Sequence, residues 1–272
     1  MAGAYDRTPL HIYSRRRNTI SETIPLKIIP LGGLGEIGMN IMAMEYGDDI
    51  IVIDAGLMFP ESYMLGVDIV IPDITYLKNN SEKVRGIILT HGHEDHVGAL
   101  PYILREINPP IYGTRLTLGF VQEKLIEHKL LSQTSLNPLK PREKVSLGSF
   151  EVEFIRVSHS IVDGVGLAIT TPAGVVIHTG DFKLDQTPVD GQVTDLKKFA
   201  EYGERGVLAL MSDSTNVERE GYTISEREVG VAIDEIFRER TGGRIFVALF
   251  SSNIHRVQQV VNVAMKYGRK IV

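Results

Sequence analysis

The chain has 272 residues, of which 43% are hydrophobic and 23% are charged, and its formal net charge is −5. This composition is typical of a globular protein with one large domain, or one domain and part of another, and its charge does not indicate a polyanion partner. The absence of cysteine excludes disulfides and thiolate metal sites. Without an apolar run of about 18 residues or a signal peptide, we expect a cytoplasmic protein with no membrane span.

Residues 1–25 form a polar segment that contains Arg15, Arg16 and Arg17 in succession. We expect a flexible basic arm here, because terminal segments of this kind are seldom tied down. The charge is consistent with a solvated tail or with a contact to RNA.

The first predicted strand, residues 27–31, is followed by the pattern G-x-G-x-x-G at residues 33–38 and later by Asp54. Dinucleotide-binding units share this spacing. They need a helix between the glycines and the acidic residue, whereas residues 40–46 and 50–53 are typical of a β-hairpin. We therefore favour a hairpin over NAD binding.

The densest group of polar residues is the turn formed by residues 90–96, which follows an apolar strand at residues 87–89. Three of the eight histidines of the chain lie in this turn. Imidazole and carboxylate are the ligands that zinc and similar ions accept, and a tight turn can direct them into one small volume. The candidate metal ligands in the turn are His91, His93, Asp95 and His96.

Three further candidates lie where other predicted strands end. Asp54 ends an apolar strand, while His159 and Asp181 follow strands at residues 154–157 and 175–177. A β-sandwich brings such strand ends from distant parts of the sequence to one rim. We expect Asp54 to accept hydrogen bonds from a ligand histidine or from backbone N–H groups of the turn, with an ordinary turn cap as the alternative.

Two further histidines, His178 and His128, are considered as metal ligands. His178 has the chemistry to bind metal as Asp181 does, but strand alternation points its side chain elsewhere, and we expect a structural or supporting role. His128, beside Lys129, is typical of a helix end at the surface.

The remaining pattern predicts helices and short strands up to residue 177, with a change of architecture near residue 206. Helices are expected at residues 97–106 and 116–128, and strands near residues 145, 152–155, 167–170 and 175–177. From residue 207 strands alternate with helices, which predicts a parallel sheet. These elements are a strand at residues 207–211, a helix at 225–240, a strand at 244–250, a helix at 253–266 and a strand from 270.

Several motifs resemble those of the metallo-β-lactamase superfamily, in the same order along the chain. The shared motifs are Asp54-Ala55-Gly56, His-x-His-x-Asp-His at residues 91–96, His159, and Thr179-Gly180-Asp181. Residues 34–38, 212–216 and 252–256 narrow the resemblance to the ribonuclease J family of β-CASP nucleases, over roughly residues 26 to 272.

The resemblance implies an α/β protein with two units. Residues 26–206 would form a metallo-β-lactamase αββα sandwich, and residues 207–272 the first part of a β-CASP parallel α/β domain. It also implies two divalent ions, with zinc expected and manganese as the alternative because the second site is rich in oxygen. The first ion would be bound by His91, His93 and His159, and the second by Asp95 and His96, with Asp181 as the bridge.

The resemblance extends to the catalytic and RNA-binding residues. Asp95 and Asp213 are the catalytic candidates, supported by Asp54, although Asp213 has the alternative role of capping the turn after a strand. An RNA 5′-phosphate would bind at the N-terminus of the helix near residue 253, where unpaired N–H groups favour anions. A plain helix cap is the alternative for these residues, which are Ser251, Ser252, Asn253 and His255.

The implied function is hydrolysis of single-stranded RNA in RNA processing and decay, both internally and from a 5′-monophosphorylated end, by a homo-oligomer or a larger RNA-decay assembly. Two alternatives stay open. One is a small-molecule metallohydrolase such as a thioesterase or lactonase, and the other is a non-catalytic RNA-binding subunit.

No histidine follows His255. The ribonuclease J pattern has further histidines after this point, including a final metal ligand. We therefore expect a truncated chain that binds metal but turns RNA over slowly or not at all by itself. An unpaired apolar edge of the parallel sheet would favour association.

Overall fold

The computed structural model describes residues 24–272, so nearly all of the arm predicted for residues 1–25 lies outside the described residues. Eleven strands and seven α-helices occur within the described range. The strands are β1 (Lys27–Gly32), β2 (Ile41–Tyr46), β3 (Asp49–Ile53), β4 (Val84–Ile88), β5 (Ile111–Gly113), β6 (Leu136–Pro138), β7 (Lys144–Leu147), β8 (Phe150–Arg156), β9 (Val165–Thr171), β10 (Gly174–His178) and β11 (Ala209–Met211). The helices are α1 (Thr75–Asn79), α2 (Glu94–Val97), α3 (Leu100–Ile103), α4 (Arg115–Glu127), α5 (Leu196–Arg205), α6 (Glu226–Glu239) and α7 (Ile254–Lys266).

The strands form two sheets. The first has the order β1-β2-β3-β4-β5-β6, antiparallel up to β3 and parallel from there on, and the second has the order β11-β10-β9-β8-β7. In the first sheet β2 and β3 form the predicted hairpin, with Met42 opposite Ile53. The G-x-G-x-x-G pattern is therefore followed by strands and not by the helix that NAD binding requires.

The two sheets pack face to face because side chains alternate along each strand. Met42 and Met44 of β2 enter the core between the sheets, where they meet Phe154 of β8. Their neighbours Ile41 and Ala43 point to the opposite face, which is covered by α1, α3 and α4. Since α5 covers the outer face of the second sheet, the arrangement is the predicted αββα sandwich.

The helix predicted at residues 97–106 occurs as the two short helices α2 and α3. Gly98 lies between them at a close approach, because a Cβ there would overlap the Leu57 side chain. Pro101 lies in the first turn of α3, which is the position where a helix tolerates proline. Gly98 and Pro101 therefore account for the break between α2 and α3.

The strand predicted at residues 244–250 is wrong, none is formed by residues 270–272, where another was expected to start, and the strand predicted at 207–211 is reduced to β11. A strand exists only where another strand supplies hydrogen bonds, and between residues 24 and 272 only β10 pairs with β11. Phe246 and Phe250 are 88% and 86% exposed. Helices α6 and α7 form close to the predicted bounds and pack on each other.

Within the described part of the chain, no helix combines the length and the apolar character needed to cross a membrane.

Candidate metal centre

The turn at residues 90–96 runs from the end of β4 into α2 and is held by the backbone that follows β3. The N–H of Ala55 donates to the carbonyl oxygen of His96 at 2.7 Å. A Cβ at Gly56 would overlap the carbonyl oxygen of Asp95, so only glycine allows this approach. These contacts fix the backbone of the turn that bears the candidate ligands.

Three ring nitrogens converge at one end of the site. Nε2 of His91 lies 3.1 Å from Nδ1 of His93, and Nε2 of His159 lies 3.3 Å from the same Nδ1. His159 reaches this point from the loop after β8. A set of three imidazoles is a donor set suited to zinc.

A second group of donors lies beside the first and shares Asp181 with it. One Asp181 oxygen, Oδ1, lies 3.4 Å from Nε2 of His96, which is 3.6 Å from Oδ2 of Asp95. The other oxygen, Oδ2, lies 3.7 Å from Nε2 of His159 and 3.9 Å from Nε2 of His91. The two carboxylate oxygens thus face different ligand groups, and the donor types fit two divalent ions with an oxygen-rich second site.

Asp54 lies behind the turn, where it was expected from the sequence. Its carboxylate is 2% exposed and accepts hydrogen bonds from the N–H and Oγ1 of Thr90 and from Nδ1 of His96, each at 2.8 Å. Having donated to Asp54, the Thr90 hydroxyl accepts from Nδ1 of His91 at 3.1 Å. Both histidines therefore carry hydrogen on Nδ1 and direct Nε2 into the site.

Asp54 has a φ of +59°, a left-handed conformation that costs a non-glycine residue energy. Aspartate tolerates this region better than most residues. Such strain is found where surrounding contacts impose it, often at functional sites. Here the contacts are those to Thr90 and His96.

Burial favours the neutral imidazoles that metals need. It lowers the pKa of His91 well below its ordinary value, lowers that of His93, and lowers that of His159 to about 4. At His96 burial also opposes the charge, but the Asp54 and Asp181 carboxylates outweigh it and raise the pKa. The carboxylates thus attract positive charge to the place where a proton and a metal ion compete.

The two competing histidines lie outside both ligand groups. His178 accepts a hydrogen bond from the N–H of Gly180 at 3.1 Å, and it lines the cleft near Asp181. His128 packs against the ring of Tyr102, with 5.7 Å between the ring centroids.

Asp213 lines the same cleft as Asp95 and Asp181. Its Oδ1 accepts from the N–H of Thr215 at 2.8 Å and from the Thr215 hydroxyl at 2.7 Å, as a turn cap does. The two roles considered for Asp213 are thus compatible, since the cap fixes a carboxylate that lies in the cleft.

The structure brings two of the four candidate phosphate-binding residues, Ser252 and His255, beside the candidate metal ligands. The Ser252 carbonyl oxygen lies 3.3 Å from Nε2 of His93, and the buried His255 lines a cavity with His159. Asn253 is also a helix cap, because its Oδ1 accepts from the N–H of Arg256 at 3.1 Å. Ser251, which precedes them, is exposed.

Asn40 is a candidate that sequence reasoning missed. Its Nδ2 lies 3.1 Å from the Asp95 carbonyl oxygen, 3.3 Å from Asp95 Oδ2 and 3.1 Å from Nε2 of His96. Thr90 was missed as well, although its place directly before His91 was an available signal. For Asn40 no local pattern gave a signal, because it is separated by 55 residues from the carboxylate it contacts.

Comparisons with known proteins agree with this geometry. Residues 34–208 match the model of the metallo-β-lactamase superfamily, and residues 242–272 match that of the ribonuclease J β-CASP domain. Ribonuclease J of a Synechocystis species is 51% identical over 92% of this chain and 39% of its own length. Ribonuclease J of Thermus thermophilus is 48% identical over 90% of this chain and 44% of its own length.

The chain thus spans about two fifths of the length of these curated relatives. A crystal structure of a protein of unknown function from Enterococcus faecalis V583 shares the fold, with a TM-score of 0.64 at 17% identity, over 87% of this chain and 63% of that one. Since the superfamily model covers more than half of the sequence and includes every proposed metal ligand, the chain belongs to the metallo-β-lactamase superfamily.

Proposed function

We propose that this protein is a metal-dependent ribonuclease that hydrolyses phosphodiester bonds of single-stranded RNA, internally and from the 5′ end. The observation that carries the proposal is the position of Asp181, whose two oxygens lie 3.4 Å from His96 and 3.7 Å from His159. A carboxylate shared between two ligand groups is the arrangement used in two-ion phosphoryl hydrolysis. The similarity to ribonuclease J supports RNA as the substrate.

The metal-binding residues would have the following roles. His91, His93 and His159 would hold the first ion, Asp95 and His96 would hold the second, and Asp181 would be shared by both. Bound ions of this kind lower the pKa of the attacking water and neutralise charge on the phosphoryl group.

Other residues prepare the ligands. Asp54 and Thr90 fix the rings of His91 and His96, and so keep each Nε2 directed at the site. Asp213, which faces the same cleft, would assist proton transfer to the leaving oxygen.

The N-terminus of α7 is the proposed binding place for an RNA 5′-monophosphate. The first-turn N–H groups of a helix attract anions, and Ser251, Ser252 and His255 are at or next to this helix start in the chain. The contact between Ser252 and His93 supports a 5′ end close to the ions. Recognition of this end would favour cleavage that begins there.

We further propose zinc as the ion, with manganese as the alternative, because imidazole suits zinc while the Asp95 and Asp181 carboxylates also suit manganese. Residues 26–206 and 207–272 would act as two units, connected by β11, which pairs with β10 of the sandwich. The RNA substrate implies action in the cytoplasm, in RNA processing and decay, by a homo-oligomer or a larger assembly.

The test compares substrate classes under single-turnover conditions, with protein in excess so that slow cleavage is detected. The substrates are a 5′-monophosphorylated single-stranded RNA, a thioester and a lactone, each with zinc or manganese and after chelation. We expect metal-dependent RNA cleavage that Asp181→Ala abolishes. Hydrolysis of the thioester or lactone without RNA cleavage contradicts the proposal, as does metal-independent RNA binding without cleavage.

A further inference from the structure

We propose that the backbone carbonyl of Ser252 is a positioning group for the metal centre. It holds the His93 ring so that Nδ1, and not Nε2, is presented to the first ion. This inference rests on the metal site of the proposed function, and it links α7 to a ligand that lies 159 residues earlier in the chain.

The hydrogen bonds of His93 assign the role of each ring nitrogen. Nδ1 faces the other two imidazoles, at 3.1 Å from His91 and 3.3 Å from His159. Nε2 points away from them to the carbonyl oxygen of Ser252 at 3.3 Å. A carbonyl oxygen only accepts, so Nε2 carries the hydrogen and Nδ1 keeps the lone pair that a metal needs.

This orientation is opposite to that of the neighbouring ligands. His91 and His96 are held through Nδ1, by Thr90 and Asp54, and present Nε2. Histidine ligands commonly donate their second ring N–H to a carboxylate or a backbone carbonyl, which fixes the tautomer and the ring angle. For His93 that acceptor is supplied by Ser252, which directly precedes the N-cap of α7.

Ion pairs hold the start of α7, which directly follows Ser252 and Asn253. Arg256, in the first turn of α7, donates to both carboxylate oxygens of Glu226 at 2.8 and 2.9 Å, and Glu226 is only 8% exposed. Lys183 reaches the same carboxylate at 3.2 Å from the segment just after Asp181. The start of α7 is therefore tied to α6 and to the strand-end loop that carries the bridging carboxylate.

A functional coupling follows from these contacts. If the docked position of α7 favours the tautomer that binds metal, then ion binding must favour the docked position of α7 by the same free energy. A ligand that holds the start of α7 in place would strengthen binding of the first ion.

The direct test is nitrogen-15 NMR of the histidine side chains, recorded on the whole chain with and without zinc. We expect His93 as the Nε2–H tautomer in both samples, against Nδ1–H for His91. The Nδ1–H tautomer for His93 in either sample overturns the proposal. Since the tautomer is read without RNA, and also without metal, failure here is distinct from failure of the ribonuclease proposal.

A second test removes the ion pair between Arg256 and Glu226, which holds the start of α7. Arg256→Ala should expose the amides of residues 253–257 to hydrogen exchange and weaken zinc binding at the first site by about tenfold to a hundredfold, the usual effect of losing such an acceptor. Gln258→Ala, which removes an exposed side chain of the same helix, should change neither. Glu226→Gln serves as an independent release variant. Unchanged zinc affinity in a variant whose α7 amides have become exposed contradicts the proposal.

Discussion

Nδ1 of His96 lies 2.8 Å from Oδ2 of Asp54, and both side chains are almost fully buried. With the two donors of Thr90, three hydrogen-bond donors converge on the two oxygens of one carboxylate. An amide offers only one oxygen, so Asp54→Asn leaves at least one donor facing an NH₂ group.

Asp54→Asn should therefore weaken binding of the second ion by about tenfold to a hundredfold. Binding of the first ion should be weakened less. Zinc titration in competition with a chromophoric chelator measures both sites. Asp48→Asn, at a carboxylate that is 90% exposed, is the matched control and should bind zinc as the wild type does. Equal loss at both sites would mean that Asp54 stabilises the turn as a whole and not the His96 ring.

Asn40→Ala removes the donor that holds the Asp95 carboxylate. We expect the first ion to be retained and the second to be lost on dialysis, because the rotation of Asp95 is no longer restricted. Elemental analysis gives the metal content directly. Asn108→Ala removes an amide that donates to a backbone carbonyl far from the site, and its metal content should equal that of wild type. Two ions retained in Asn40→Ala would exclude this positioning role.

Much of the fold followed from the sequence because its signals are local. Alternation of apolar residues depends only on neighbours in the chain, and β9, β10 and α6 formed close to the predicted places. The strand predicted at residues 244–250 did not form, because a strand depends on a partner that can be distant in the sequence. An apolar run becomes a strand only beside a partner, and among residues 24–272 it has none.

The candidate site likewise contains residues that local patterns predict and contacts that only the fold creates. The dense motif at residues 91–96 supplied most of the candidate ligands, and His159 and Asp181 were candidates because they follow predicted strands. By contrast, the contacts of Asn40 and of the Ser252 carbonyl arise only when distant segments meet. A backbone carbonyl carries no residue signal at all, so no sequence pattern could have assigned it.

His255→Ala tests the 5′-phosphate site. Binding is measured for 5′-monophosphorylated and 5′-hydroxyl oligonucleotides of the same sequence. The wild type should prefer the phosphorylated form, and the variant should lose that preference while it keeps its affinity for the hydroxyl form. His128→Ala, outside the cleft, should behave as wild type. Equal affinity in wild type and His255→Ala for both oligonucleotides would exclude the site.

Asp185 gives a pH-dependent contribution to stability. Burial alone would raise the pKa of this carboxyl, but N–H hydrogen bonds from Glu226 and Thr187 outweigh it and lower the pKa to about 2. Because the unfolded chain binds the proton more tightly, the contribution is complete above pH of about 4 and is lost as the pH falls through about 2.

Asp185→Asn should accordingly lower the free energy of unfolding at pH 7 by on the order of 2 kcal/mol. The difference from wild type should shrink between about pH 4 and pH 2, as urea denaturation at several pH values can measure. Asp190→Asn, in the same loop but exposed, should show no such trend. A difference that is independent of pH would mean that shape, and not charge, matters at position 185.

The central claim is that Asp181 is shared by two ions. Anomalous X-ray diffraction at the zinc edge, on crystals grown with zinc, tests it most directly. The account predicts two peaks about 3.5 to 4 Å apart, one among His91, His93 and His159 and one beside Asp95 and His96, with Asp181 between them. A single peak, or a second peak bound by His178 in place of Asp181, would contradict it.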